Sequence, residues 1–133
     1  MATKDKSVNM NTLNSMETAS HYIQATEMEW QPTGVDLISM KILYQDDEGR
    51  STILFKLEPG GTVPLHEHVG FEQTYVLEGS LEDGEGKCTA GNYVWRPAGS
   101  SHIAHAPNGA VILSIFTKPN RFMSGSKFYT EEN

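Results

Sequence analysis

Four residues carry the chemistry this sequence offers: His66, His68, Glu72 and His102. His66 and His68 are two apart, so in extended chain their side chains leave the same face and both imidazoles reach one ion. Glu72 follows past Gly70, where the chain can bend, and brings a carboxylate oxygen into the same space. His102 stands far along the chain, just after the Pro97-Ala98-Gly99 turn. Neutral imidazole nitrogens with one carboxylate suit divalent iron, manganese, zinc, nickel or copper. For most of these ions the set is an incomplete octahedron, and open positions are what catalysis at a metal requires. The expected metal ligands are therefore His66, His68, Glu72 and His102, with Glu72, the sole anionic donor, also the expected catalytic residue.

Other reactive side chains read as ordinary. His105 is three residues from His102, so on a strand it faces the opposite way and is not expected to ligate. His21 reads as a surface histidine. Glu67, between two ligand candidates, points outward by alternation into solvent. Cys88 is the one cysteine, which excludes an intramolecular disulfide and a multi-cysteine zinc site. Only Lys87 beside it would lower its pKa, so it reads as a small packing residue.

The elements that must position these groups are strands. Residues 35–44 alternate Ile38, Met40, Ile42 and Tyr44 against Ser39, Lys41 and Leu43. An Asp46-Asp47-Glu48-Gly49 turn separates them from 51–57, where Ile53, Phe55 and Leu57 alternate with polar neighbours. Further short strands are expected at 71–77, 80–83, 92–96, 102–106 and 110–117, each closed by Gly or Pro. No segment holds a helical period, and short strands at this spacing indicate an all-β sandwich or barrel. Residues 1–19 are polar, amide-rich and without period, and read as a disordered lead-in. The barrel is assigned to 20–119. The tail, 120–133, carries Phe122, Phe128 and Tyr129, which are expected to pack on this barrel or on a second copy in a homodimer.

A chain of 133 residues fits a single domain with a core of its own. Ten basic residues against 17 acidic ones give a net charge of −7, which repels phosphate backbones and anionic lipid, so neither nucleic acid nor membrane is an expected partner. The longest apolar run, Ala110–Phe116, is broken by Ser114 and is too short to span a bilayer. The first twenty residues contain no continuous apolar stretch of a signal peptide. With a lone free thiol, these features are those expected of a cytoplasmic protein.

The same residues fall into two motifs. Residues 60–79, GGTVPLHEHVGFEQTYVLEG, match the first cupin motif, G-x5-H-x-H-x3-E-x6-G, at every fixed position. Residues 91–102, GNYVWRPAGSSH, match the second, G-x5-P-x-G-x2-H, although Ala106 stands where the motif usually ends in Asn. Across residues 35–117 the chain resembles the cupin superfamily. More narrowly it resembles ChrR-like cupins, through Trp30 with Pro32, Phe55 to Gly60, His66-Glu67-His68, Tyr75 to Gly79 and Pro97 to Ser100. The resemblance implies a single-domain double-stranded β-helix, a cupin jelly-roll barrel, with one divalent ion per chain. Fe2+ or Zn2+ is expected first, then Mn2+ or Ni2+. It further implies a metal-dependent dioxygenase acting on a small carbonyl compound of the β-diketone or aryl-ketone kind. The alternative is a non-catalytic zinc-binding sensor or ligand-binding module like the ChrR cupin domain. Sigma-factor binding is not implied, because the anti-sigma factors use a separate zinc-binding helical domain. Only about thirty residues, none of them cysteine, precede the first expected strand here.

Overall fold

The structure, a computed structural model, describes residues 18–123. Phe128, Tyr129 and most of the expected lead-in lie outside the described residues. Ten strands form: β1 (Gln31–Pro32), β2 (Ile38–Gln45), β3 (Ser51–Leu57), β4 (Gly61–Glu67), β5 (Glu72–Glu82), β6 (Lys87–Thr89), β7 (Tyr93–Arg96), β8 (Ser101–Ala106), β9 (Ala110–Phe116) and β10 (Arg121–Phe122). Beyond them a 3-10 turn forms at Ala25–Glu27.

Every pairing is antiparallel, and the strand order is β1-β2-β3-β9-β5-β8-β4-β10, with β6 and β7 also on β5. The result is the all-β jelly roll expected from the sequence, two curled sheets sharing one strand. That strand is β5. Its first half pairs with β9 on one edge and β7 on the other. Beyond a bulge between Val76 and Glu78 its last residues pair with β6 and β8. The turn from one sheet to the other passes through Gly79, at φ +72°, where a Cβ would lie 2.0 Å from the Gly109 carbonyl oxygen. This is why the first motif ends in glycine: no other residue fits both the backbone angle and the approach.

The core follows the period of two. Ile53, Phe55 and Leu57 point inward from β3, and Ala110, Ile112, Ser114 and Phe116 from β9. Val76, Leu81 and Ala104 meet them from β5 and β8. Phe55 and Phe116 stand edge to face at 6.4 Å. Phe122 is buried as well, on β10, where it pairs with His66 of β4.

Strand β2 departs from simple alternation. Its register shifts between Ile42 and Tyr44, which leaves Tyr44 exposed. Lys41 is buried, its Nζ donating to the Ala25 carbonyl at 2.8 Å and lying 4.6 Å from the centre of the Trp30 ring. The segment before β1 thus folds over β2 and pins its one cation beneath an indole. On the opposite flank of this sheet the outward row Tyr75, Tyr93, Trp95 and Ile115 stays 39–56% exposed.

Candidate metal centre

Three elements carry the histidines to one point. His66 on β4 and His102 on β8 are cross-strand partners. His68 lies just past the end of β4 and is fixed by its own backbone, its N–H donating to the Ser100 carbonyl at 2.8 Å and its carbonyl accepting from Gly99 N–H at 2.7 Å. Gly99, at φ +94°, turns the chain so that both bonds form. The three ring centres are 4.6 to 4.9 Å apart. Their nearest ring nitrogens all lie within 4.8 Å of one another. Glu72 opens β5 between Arg96 on β7 and Phe116 on β9. His66, His68 and Glu72 are buried.

The far nitrogens decide what the near ones can do. His66 Nδ1 is 2.7 Å from the Pro64 carbonyl, and His102 Nδ1 is 2.7 Å from Asp83 Oδ2. His68 Nδ1 is 3.1 Å from the Ser100 carbonyl and 2.9 Å from the Ser100 hydroxyl. Carbonyl and carboxylate oxygens only accept, so Nδ1 is the protonated nitrogen of the neutral ring in each case. Every Nε2 is left with a bare lone pair. His68 Nε2 faces Glu72 Oε1 at 2.9 Å, yet neither atom has a hydrogen-bond partner among the described residues. Two buried acceptors at that distance repel unless a cation, a proton or a metal ion, lies against both. The donor set therefore fits a divalent ion: three neutral nitrogens converge and an ionised oxygen adjoins them.

Neighbouring groups hold these charge states. Burial, reinforced by the other two histidines, pushes His66 from 6.5 down to about 4. His102 is also lowered, by burial and by Arg96, against the opposing pull of Asp83. Burial alone would raise Glu72, but in the metal-free protein a proton held between it and His68, the Thr74 hydroxyl and Arg96 outweigh burial and keep the carboxyl below its ordinary value. Thr74 Oγ1 donates to Glu72 Oε2 at 2.7 Å and so accepts from Ser114 at 2.8 Å, a relay of hydroxyls across β5 and β9. Asp83 falls to about 2. Burial again opposes, and the His102 ring, the N–H groups of Glu85 and Gly86, and Arg96 prevail. Arg96 Nη1 reaches the same Asp83 oxygen at 2.8 Å.

Over the histidines lies a cavity of about 40 Å³ whose walls are mainly apolar, among them Phe55, Leu57, Ile112 and Phe116. Its volume admits a few water-sized groups.

The structure therefore brings His66, His68 and His102 together and sets Glu72 against His68, outside the compact set of three. His105 stands apart, 3.5 Å from Glu82 and 45% exposed. Glu67 points outward and pairs with Arg121. Cys88 is half-buried, and burial raises its thiol pKa. Sequence reasoning missed Asp83, Arg96, Thr74 and Ser114. Ser114 alone left a signal, as the polar break in the most apolar strand.

Residues 18–121 match the family model described as "ChrR Cupin-like domain". No curated protein matches the chain. Several solved structures do. A candidate acetylacetone dioxygenase from Methylibium petroleiphilum PM1 matches at TM-score 0.73 and 22% identity, over 82% of this chain and 85% of that one. An acetylacetone dioxygenase from Acinetobacter johnsonii matches at TM-score 0.72 and 20% identity, over 79% and 78%. The structure of Rhodobacter sphaeroides SigE in complex with the anti-sigma ChrR matches at TM-score 0.61 and 25% identity, over 68% of this chain and 49% of that one. No helix among the described residues is long and apolar enough to cross a membrane.

Proposed function

The chain belongs to the ChrR cupin-like domain family, and from that premise we propose that it is a metal-dependent dioxygenase acting on a small carbonyl compound, a β-diketone or an aryl ketone. His66, His68, His102 and Glu72 hold one divalent ion per chain, iron first and zinc next, with manganese or nickel suited to the same donors. One observation carries the reading: three rings with Nδ1 engaged turn bare Nε2 atoms to one point, where the buried Glu72 Oε1 also lacks a hydrogen-bond partner among the described residues. A bound ferrous ion would supply Lewis acidity toward a chelating carbonyl and an electron for dioxygen.

The chain's own residues do the rest. Pro64, Ser100 and Asp83 fix the tautomer and aim of each ring, and at His102 the acceptor is a full carboxylate rather than a carbonyl. Thr74, backed by Ser114, keeps Glu72 ionised. Glu72 is the catalytic residue in this reading, because it sets the charge of the centre. Phe55, Leu57, Ile112 and Phe116 exclude water.

Oxygen uptake by iron-loaded and zinc-loaded protein, across a panel of β-diketones and hydroxylated aryl ketones, tests this. Uptake by the iron form alone supports the enzyme. No uptake by fully iron-loaded protein on any member of the panel overturns it. The second reading, a non-catalytic zinc-binding sensor or ligand-binding module, draws on the likeness to the ChrR-containing structure. Zinc as the sole metal after expression with ample iron favours it. In either reading the protein is a cytoplasmic homodimer that meets small molecules rather than nucleic acid or membrane, and a sigma factor is not the expected partner. The homodimer draws on the exposed row Tyr75, Tyr93, Trp95 and Ile115.

A further inference from the structure

Strand β7 turns a full positive charge into the barrel. Arg96 is the cross-strand partner of Glu72, so the two side chains leave the same face of the sheet, and Arg96 is only 11% exposed. Its Nη1 meets Asp83 Oδ2 at 2.8 Å, and that oxygen already accepts His102 Nδ1 at 2.7 Å. The charge of Arg96 helps keep Glu72 and Asp83 ionised, but neither task uses the rest of the guanidinium's N–H groups. A guanidinium presents five N–H donors in a rigid fork, and Asp83 engages it through one nitrogen.

The position of Arg96 gives the remaining donors a use. It lines the cavity over the histidines. It also lines a second, more polar pocket of about 280 Å³ beneath β6, beside Asp83, Lys87 and Asn92. Arg96 and Leu81 are the residues these two cavities share. The fork thus stands at their junction, beside a mainly apolar cavity wall. Charge points the same way. A divalent ion with Glu72 leaves about one net positive charge and the Arg96–Asp83 pair adds none, so a monoanion neutralises the site. A neutral diketone must first lose a proton to do so.

We infer that Arg96 is the specificity-determining residue, taking the carboxylate of a small carbonyl acid, of the β-keto acid kind, whose carbonyl oxygen faces the three histidines. This rests on the metal reading above and moves its substrate class from the diketone to the corresponding keto acid. A planar carboxylate matches the fork in two parallel bonds, which a methyl ketone in its place cannot make.

Acetoacetate and acetylacetone make the test, since they differ only in an oxygen anion for a methyl group. Zinc-loaded full-length protein is titrated with each in a calorimeter, because zinc supports no oxygen chemistry and the measurement reads binding alone. Wild type is expected to hold acetoacetate more tightly, by about tenfold, the worth of a charge-assisted hydrogen bond. Arg96→Gln should erase that preference while acetylacetone stays within about twofold, and Arg96→Lys should keep part of it. If wild type shows no preference, or prefers the diketone, the inference is overturned whether or not Arg96→Gln folds. It is equally overturned if Arg96→Gln, at full zinc occupancy, weakens both ligands alike, since Arg96 then only props Asp83. Protein that takes up no zinc overturns the metal reading itself, and the zinc content measured before titration tells the two failures apart.

Discussion

His102 depends on the oxygen behind it. Asp83 Oδ2 accepts a hydrogen bond from its Nδ1–H and is itself held ionised by backbone N–H groups and Arg96, so the ring keeps one tautomer and one direction. Removing a ring and removing its support should therefore differ in degree. His66→Ala and His102→Ala each delete one converging nitrogen and should reduce bound metal from one equivalent to nearly none by elemental analysis. His105→Ala should leave the stoichiometry intact, and Asp83→Asn should leave it intact with affinity about tenfold weaker in chelator competition. Metal retained by His102→Ala and lost by His105→Ala would reverse the ligand assignment. The same residues set a pH limit on the metal-free protein. His66 has its pKa near 4 in the folded chain against 6.5 for the free side chain. Below 6.5 the unfolded chain takes up a proton that the folded chain refuses. Stability is thus full above that value and falls as pH drops toward 4, by up to about 3 kcal/mol from this one group. Urea midpoints between pH 7 and pH 4.5 should fall less for His66→Asn than for wild type. Equal losses would remove His66 as the cause.

At the level of strands, glycine placement does work that patterning cannot. Gly79 needs both φ +72° and the space beside the Gly109 carbonyl, whereas Gly91 needs only its φ of +85°, with nothing near its missing Cβ. Gly91→Ala should cost about 1 kcal/mol and Gly79→Ala about 3 kcal/mol or more, because only the second forces backbone apart. Denaturant titration of both variants measures the contrast, and similar costs would mean that the close approach at Gly79 relaxes. The same features explain what was legible beforehand. Strands β3 and β9 were readable because apolar residues recur at alternate positions, interrupted on the inward faces only by Ser51 and Ser114, and the register between the two never slips. Strand β4 was not read as a strand, since Gly61 and Pro64 break its period, and Pro64 falls where the register shifts. Strand β5 read as two pieces because its transit between sheets falls on a glycine that sequence takes for a terminator. The three histidines were legible because motif spacing fixes them. Asp83 was not, because an acidic residue before Gly84-Glu85-Gly86 has the look of a solvated turn, and the fold alone carries it beneath His102. Arg96 was hidden for a related reason: the parity of β7 becomes known only once Glu72 is its neighbour.

For the molecule as a whole, the unusual surface is the outward row on the β5–β7–β9 flank. Tyr75 is 43% exposed, Tyr93 49%, Trp95 56% and Ile115 39%, and no charged side chain stands among these four. Burying such rings against a second copy contributes about 2 kcal/mol for each, which over a two-fold interface sustains a dimer. Light scattering of the wild type should therefore give twice the monomer mass, and Trp95→Glu should halve it without moving the metal stoichiometry. A monomeric wild type at micromolar concentration would sink the dimer.

Strand β5 is hydrogen-bonded along both edges over Gln73 to Tyr75 and then continues into the second sheet. Neither sheet can peel away while the other stays closed, so the barrel has no partly open form in which this strand is free. The amide protons of these residues should trade with solvent deuterium only when the entire chain unfolds. Glu72 begins that same strand. An ion held against it therefore leaves through the cavity mouth or waits for global unfolding, and its residence time becomes a clock on the lifetime of the native state.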